Sequence, residues 1–240
     1  MNANPDDPEE FKQQVAAICQ LYEQAPTLSE QGVHLVSTDE MTGIQALERA
    51  HATLPMKPGR VECQEFEYIR NGTVSLIANL EIATGKAIAP TIGTTRKEYD
   101  FANHIANTIE TDPDGKWIFL VDQLNIHKSA SLVRLVAACC QIDTDLGIKE
   151  QQGILKSMDS RAAFLSDSTH RIHFVYIPKH TSWLNQIECW FSILVRRLLR
   201  RASFTSTTEL SDRILEFIDY FNRTMSKPFR WKYKGCKNTP

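Results

Sequence analysis

The sequence predicts an α/β fold in which helices pack on the faces of a mixed β-sheet. Two short and almost continuous apolar runs, 117–121 and 172–177, are typical of central strands that are buried on both faces. The segment 66–93 indicates an antiparallel meander, because its apolar stretches are separated by an Asn-Gly pair at 71–72 and a Thr-Gly pair at 84–85. Segments with helical spacing lie before, between and after these strands, and they supply the helices that cover the sheet.

The N-terminal part predicts one helix and one strand. The helix is expected to begin at Asp6 or Asp7, either of which can cap it, and to end near Gln24–Pro26. The apolar run 33–38 predicts the first strand. Residues 41–63 have no clear period and contain proline and glycine, so a loop is expected there.

The remaining helices are predicted from apolar periodicity and capping residues. Residues 97–109 and 129–140 have helical spacing. A further helix can be capped by Thr181 or Ser182, and a last one begins at Ser206, which has capping-box spacing to an acid three positions on.

Composition excludes several classes of protein. Hydrophobic residues make up 42% and charged residues 23% of the 240 residues, which excludes wholesale disorder. No apolar run approaches the roughly 20 residues of a membrane helix, and the acidic start does not resemble a signal peptide. None of the 6 cysteines forms a C-x-x-C pair, so neither a zinc site nor a disulfide framework is expected. We therefore expect a protein of the cytoplasm.

The charge is unevenly distributed along the chain. Residues 1–178 contain 15 basic and 24 acidic residues, whereas residues 179–240 contain 12 basic and 5 acidic ones, a balance of −9 against +7. The split predicts a basic surface near the C-terminus that can meet a polyanion, although an inert solvated face has the same signature.

Three acids occupy positions where a carboxylate needs a partner. Asp39 and Asp122 each follow a predicted strand, and Glu188 falls on the apolar stripe of its helix. If the two strands are neighbours, the aspartates lie side by side, and a divalent cation would remove their repulsion. The oxygen ligands favour Mg²⁺ or Mn²⁺. The alternatives are a helix cap or turn for each aspartate, and an ion pair of Glu188 with Arg134 or a lysine.

The residues around these acids carry a resemblance to a known family. The strings are STDE at 37–40, FLVDQLNIHKS at 119–129 and IPKHTSWLNQIECWF at 177–191. In this order they resemble the DDE catalytic domain of bacterial insertion-sequence transposases related to the mariner group, over about residues 33–222. The resemblance implies an RNase H-like mixed five-stranded sheet flanked by helices. It also implies that Asp39, Asp122 and Glu188 are the catalytic acids and bind two Mg²⁺ or Mn²⁺ ions.

The chain departs from the family pattern in two places. Gln123 stands where the family usually has Asn after the second acid, and the 66 positions from Asp122 to Glu188 are about twice the usual gap. The extra length predicts an insertion at about 139–170.

On this basis the chain divides into three parts. We expect an N-terminal helix and linker at 1–31, the catalytic domain at 32–225 including the insertion, and a basic, loose tail at 226–240.

Basic and polar residues near the acids are candidate DNA contacts. Asn185 has three readings: it binds DNA, orients Glu188 or stabilises the start of the helix. The other candidates are positively charged or imidazole side chains that can hold phosphates, namely His127, Lys128, Lys179, His180, Arg196, Arg197, Arg200 and Arg201.

The resemblance implies metal-dependent cleavage of transposon ends and transfer of the cut strands to target DNA, by a homodimer associated with the nucleoid. One alternative is a domesticated DNA-binding relative without catalysis, and another is a nuclease that cuts without joining. Only about thirty residues precede the first predicted strand. We therefore expect a helix-turn-helix part to be a separate chain or to be missing.

Overall fold

The protein is described by a computed structural model that covers residues 7–51, 54, 56–61, 67–200 and 202–233. Within these residues the strands are β1 (Val33–Arg49), β2 (Tyr68–Glu81), β3 (Ala87–Gly93), β4 (Lys116–Val121) and β5 (Ile172–Tyr176). The α-helices are α1 (Pro8–Glu30), α2 (Glu98–Ile109), α3 (Ala130–Cys139), α4 (Met158–Leu165), α5 (Ile187–Leu194) and α6 (Thr207–Thr224).

The strands form one five-stranded mixed sheet, as predicted, and their order in the sheet is β3-β2-β1-β4-β5. The first three strands are antiparallel neighbours, whereas β1, β4 and β5 run parallel. In the pairing of β1 with β4, Ser37 lies opposite Leu120. The same register continued by two residues brings Asp39 level with Asp122, so both acids lie at one edge of the sheet.

Each face of the sheet carries its own hydrophobic core. Leu35 and Leu120 point towards α1, α5 and α6, while Val36 and Phe119 point towards α2, α3 and α4. Residues alternate between the two cores because successive side chains of a strand point to opposite faces. β4 is buried on both faces, as its apolar sequence predicted.

The first helix is longer than predicted. Asp7 caps it, since its Oδ1 accepts the N–H groups of Glu9 and Glu10, while Asp6 lies outside the described residues. The helix then continues through Pro26 to Glu30. Proline removes one helical hydrogen bond, and burial of residues such as Tyr22 against the first core offsets this loss.

The predicted turn at 71–72 is wrong. β2 runs straight through it, and β1 extends through 41–49, where a loop was predicted; part of 52–66 lies outside the described residues. The pairing jumps from Gln45 with Thr73 to Leu47 with Arg70, so β2 contains one extra residue there. Gly72 accommodates this bulge at φ +109°, which explains why a turn-forming pair lies inside a strand.

The start of α5 also differs from the prediction. Neither Thr181 nor Ser182 caps α5, which begins at Ile187 after a short 3₁₀ turn. Thr181 is unavailable because its hydroxyl donates to the carbonyl of Pro178 at 2.5 Å. Beyond α5, the chain widens into one π-helical turn at Val195–Leu199, in which Val195 is 37% exposed.

The other elements are close to their predictions. The helices predicted over 97–109 and 129–140 are α2 and α3, and Ser206 caps α6 by accepting the N–H of Glu209. The tail is not loose as far as residue 233, because the Trp231 ring packs 5.0 Å from that of Tyr22. Across the described residues, no helix has the length and apolar character that spanning a membrane requires.

Candidate active site

The three predicted acids lie around one edge of the sheet. Asp39 is near the middle of β1 and only 9% exposed, and Asp122 directly follows β4 with its side chain 39% exposed. Glu188 lies in the first turn of α5 and is partly buried. It was expected on the buried stripe, but Ile187 and Phe191 take that face, so Glu188 lies on its flank.

The acids are close enough to perturb one another. Burial raises the pKa of Asp39 to about 7, and the negative charges of Asp122, Glu40 and Glu188 add to this effect against one backbone hydrogen bond. Burial also raises the pKa of Glu188, and the charge of Asp122 raises it further. This edge of the sheet therefore carries negative charge that the chain itself does not fully compensate.

Asn185 holds Asp39 in place. Its Nδ2 donates to Oδ2 of Asp39 at 3.1 Å and to the carbonyl of Thr38 at 3.2 Å. Its Oδ1 accepts the hydroxyl of Ser37, whose oxygen in turn accepts the N–H of Ile187 at 2.9 Å. Asn185 is fully buried, which leaves it no exposed atom for a DNA contact, and the acid that it bonds is Asp39 rather than Glu188.

His127 was also predicted to contact DNA, but its side chain faces two acids of the chain. Its ring is fully buried, with Nε2 3.0 Å from Oε1 of Glu40 and Nδ1 2.8 Å from Oδ1 of Asp122. Both ring nitrogens are therefore engaged, and none is left for a phosphate. Burial lowers the pKa of His127, but the bonds and charges of Asp122 and Glu40 outweigh burial and raise it to about 10.

The same contact shifts the pKa of Asp122 in the opposite direction, below its usual value. Burial raises its pKa, but the hydrogen bond and charge of His127, with smaller contributions from the N–H of Leu124 and from Lys128, outweigh burial and lower it. Asp122 is thus held as a carboxylate beside the more easily protonated Asp39.

Lys128 lies beside the site but is partly buried. Its Nζ donates to Oε1 of Gln123 at 2.5 Å and lies 4.8 Å from the centre of the Tyr176 ring. Gln123 in turn donates from Nε2 to the carbonyl of Ile177 at 3.0 Å. The glutamine that departs from the family pattern thus ties the end of β4 to the end of β5.

Two other predicted basic residues line an open cleft at the site. Lys179 and His180 are exposed and share this cleft with Asp122 and Gln123. Burial lowers the pKa of the Lys128 ammonium, and the nearby charge of Lys179 lowers it further. A phosphate in this cleft would face the ammonium of Lys179 and the carboxylate of Asp122.

The predicted arginines are exposed on the π-helical turn and just after it. Arg196, Arg197 and Arg200 are open to solvent, whereas Arg201 lies outside the described residues. Arg196 differs from the others because it lines an apolar groove together with Glu188 and Met41. It therefore lies at the border between the acids and the basic surface.

The donor set fits a divalent cation. Asp39, Asp122 and Glu188 offer carboxylate oxygens, the ligands that Mg²⁺ and Mn²⁺ prefer, and their mutual repulsion would fall if a cation bound. Among the residues covered by the structure, no three acidic, imidazole or thiol groups are already close enough to hold one ion.

Sequence reasoning missed the role of Glu40. Its side chain is only 2% exposed, although it directly follows Asp39 in the chain. The string STDE does contain a signal, since Ser37 and Thr38 are polar residues within a buried strand. Both bind other buried polar groups, and Thr38 donates to Oδ1 of Asn79 at 2.6 Å.

The fold and the acids define a class of protein. The family described as DDE superfamily endonuclease matches residues 34–211, which include all three acids, and the chain belongs to this family. No curated protein matches the chain.

Solved structures show what the fold is similar to. The catalytic domain of Mos1 mariner transposase matches with a TM-score of 0.51 and 9% identity, over 91% of this chain and 85% of that chain. The Mos1 mariner paired end complex with Mn matches with a TM-score of 0.54 and 12% identity, over 92% of this chain. The present chain spans 58% of the transposase in that complex. The predicted RNase H-like fold is confirmed by these matches.

Proposed function

We propose that the chain is the catalytic domain of a transposase, which cuts DNA at the ends of an insertion sequence and joins the cut strands to target DNA. The observation that carries the proposal is the placement of Asp39, Asp122 and Glu188 around one sheet edge, beside an open cleft lined by Lys179 and His180. Membership of the DDE superfamily endonuclease family supports it.

The three acids would hold Mg²⁺ or Mn²⁺, and we propose two ions. Two of the similar Mos1 structures are with Mn. When bound, the ions would favour deprotonation of an attacking water or 3′-hydroxyl and neutralise charge on the phosphate. Asn185 would keep the carboxylate of Asp39 oriented for this task.

Two phosphoryl transfers make up the proposed reaction. In the first, water adds its oxygen to phosphorus, the bond from phosphorus to the 3′ oxygen breaks, and that oxygen leaves as a hydroxyl after gaining a proton. In the second, this hydroxyl attacks a phosphodiester of target DNA, forms a new bond to phosphorus and releases another 3′-hydroxyl. Both steps pass through a phosphate with extra negative charge, and the cationic groups of Lys179 and Arg196 lie where they can oppose it.

The basic surface would hold the DNA backbone on either side of the cut. Lys179 and His180 would contact phosphates in the cleft, and Arg196 would contact the phosphate nearest Glu188. The exposed residues Arg197 and Arg200 would extend this path, together with Arg201.

Two copies would act together on DNA. We propose a homodimer in which each copy handles one transposon end, and a separate or missing helix-turn-helix part that reads the end sequence. Light scattering with and without end DNA measures the stoichiometry. A complex that contains only a single copy bound to a single end would contradict the dimer.

A cleavage and joining assay tests the proposal. Labelled duplexes from the terminal repeats of the element would be incubated with supercoiled plasmid and Mg²⁺, with Asp122→Asn as the inactive control. Joined products are expected from the unmodified chain and none from the variant. Cut but unjoined products would favour the nuclease alternative, and binding without cutting would favour a non-catalytic relative.

A further inference from the structure

A buried histidine connects the two strands that carry the aspartates. His127 lies between Glu40 on β1 and Asp122 at the end of β4, at 3.0 Å from a carboxylate oxygen of the first and 2.8 Å from one of the second. Its ring is covered by Phe101, whose centre lies 4.3 Å away. The buried ring therefore joins the middle of β1 to the end of β4.

Glu40 requires an explanation, because it is a fourth acid beside three that already repel one another. Its side chain is 2% exposed, and burying a carboxylate without a partner is strongly unfavourable. Successive residues of a strand point to opposite faces, so Asp39 faces Asn185 while Glu40 faces His127. Glu40 thus lies on the far face of the strand from the carboxylate of Asp39.

The histidine is a fixed anchor. Its own carbonyl accepts the hydroxyl of Tyr176 at 2.8 Å. The next carbonyl, that of Lys128, accepts Nε of Arg161 at 2.7 Å, and this arginine lies in α4. The backbone at His127 is therefore held from β5 and α4, and the ring holds its two acids against a rigid support.

The bonds to Asp122 leave one of its oxygens available. His127 and the N–H of Leu124 both contact Oδ1, each at 2.8 Å. Among the described residues, no hydrogen bond reaches Oδ2. One oxygen thus sets the rotamer while the other stays free to bind a cation.

We infer that Glu40 is a positioning residue, which acts through His127 to fix the carboxylate of Asp122 for metal binding. Glu40 is not itself a metal ligand, because its side chain is buried against the histidine. The inference rests on the proposed function, since it assigns Asp122 to the metal site. Partners that orient metal-binding side chains contribute about 10- to 100-fold to metal affinity in known sites.

The chain contains a matched control. His34 also bridges two carboxylates, with Nδ1 2.8 Å from Glu81 and Nε2 3.0 Å from Asp112. It lies near the start of β1, five positions before Asp39. Substitution of His34 should therefore lower the stability of the fold without changing the affinity of the metal site.

The experiment measures Mn²⁺ binding to the metal-free full chain by electron paramagnetic resonance, alongside the Mg²⁺ dependence of cleavage. Glu40→Ala should weaken Mn²⁺ binding about tenfold or more and lower kcat, with KM for DNA unchanged. Glu40→Gln keeps an acceptor for Nε2–H and should stay within about threefold of the original affinity. His34→Gln should lower the unfolding midpoint and leave Mn²⁺ affinity unchanged.

The outcomes separate this inference from the proposed function. Mn²⁺ affinity within twofold of the original in Glu40→Ala, or an equal loss in His34→Gln, would overturn the positioning role alone. An original chain that binds no Mn²⁺ would overturn both. If Glu40→Ala does not fold, Glu40→Asp decides, because it keeps the charge but is one methylene too short to reach His127.

Discussion

Nδ2 of Asn185 donates a hydrogen bond to Oδ2 of Asp39 at 3.1 Å, although 146 positions separate the two residues. This bond joins the loop before α5 to β1, and the hydroxyl of Ser37 ties the first N–H of α5 to the same strand. The acid on β1 and the acid on α5 are thereby placed by one buried polar cluster.

This cluster leads to a prediction for Asn185→Asp. The variant keeps the shape but replaces an amide donor with an acceptor beside Asp39, so we expect a loss of about 1–3 kcal/mol in unfolding free energy. Cleavage should fall more than about tenfold, because the repulsion displaces Asp39. Urea denaturation and the cleavage assay measure the two effects.

Asn222 supplies the comparison for this variant. It makes a similar two-way contact with the backbone of Ala87, away from the acids. Asn222→Asp should destabilise the chain but leave the cleavage rate of the folded fraction unchanged. Equal cleavage rates in Asn185→Asp and Asn222→Asp would show that Asn185 does not orient Asp39 for catalysis.

Glu188→Gln should stabilise the metal-free protein. The folded state raises the pKa of Glu188, so its ionisation opposes folding, and this cost grows as the pH rises above the usual range of a glutamate. We expect a Tm a few degrees higher than the original at pH 8 and a smaller difference at pH 5. Calorimetry in the presence of a chelator measures it, with the exposed Glu23→Gln as the control. A lower Tm at pH 8 would mean that Glu188 has a stabilising partner.

Neutralising the basic surface should reduce the salt dependence of DNA binding. For each phosphate that Arg196, Arg197 or Arg200 no longer neutralises, the slope of log affinity against log salt should fall by about 0.9. The triple Arg→Gln variant should therefore bind unrelated duplexes more weakly, with a visibly flatter slope. Arg134→Gln, exposed on α3 on the other face of the sheet, is the control. An unchanged slope in the triple variant would show that this face is solvated and inert.

The ion pairs of His34 should make stability depend on pH. Burial lowers the pKa of His34, but the bonds and charges of Asp112 and Glu81 outweigh it and raise the pKa above 6.5. Because the folded pKa is the higher one, this contribution is complete below pH 6.5 and is lost as the pH rises through the folded value. His34→Gln should therefore cost more unfolding free energy at pH 6 than at pH 9. Urea titrations at both pH values test this, and a cost that grows with pH would contradict it.

The sequence by itself determined the central strands and the acids that follow their apolar runs, of which one lies within β1 and the other directly after β4. An apolar run such as 117–121 is expected to be buried whatever its position in the sheet, because all of its side chains are hydrophobic. A polar residue at the end of such an apolar run is correspondingly conspicuous, and Asp39 and Asp122 both stand in this position of the sequence. Whether the two acids lie side by side depended on the strands being neighbours, and the parallel pairing of β1 with β4 brings them level.

Only the tertiary structure decided which polar side chains face solvent and which face one another. His127 and Asn185 are residue types that often contact DNA. Both are nevertheless buried, and each bonds an acid on β1, far away in the sequence. The Asn-Gly pair at 71–72 became a bulge because β1 continued opposite it. The physical reason is common to all three: local sequence determines what a residue can bond, whereas its actual partner depends on which element packs against it.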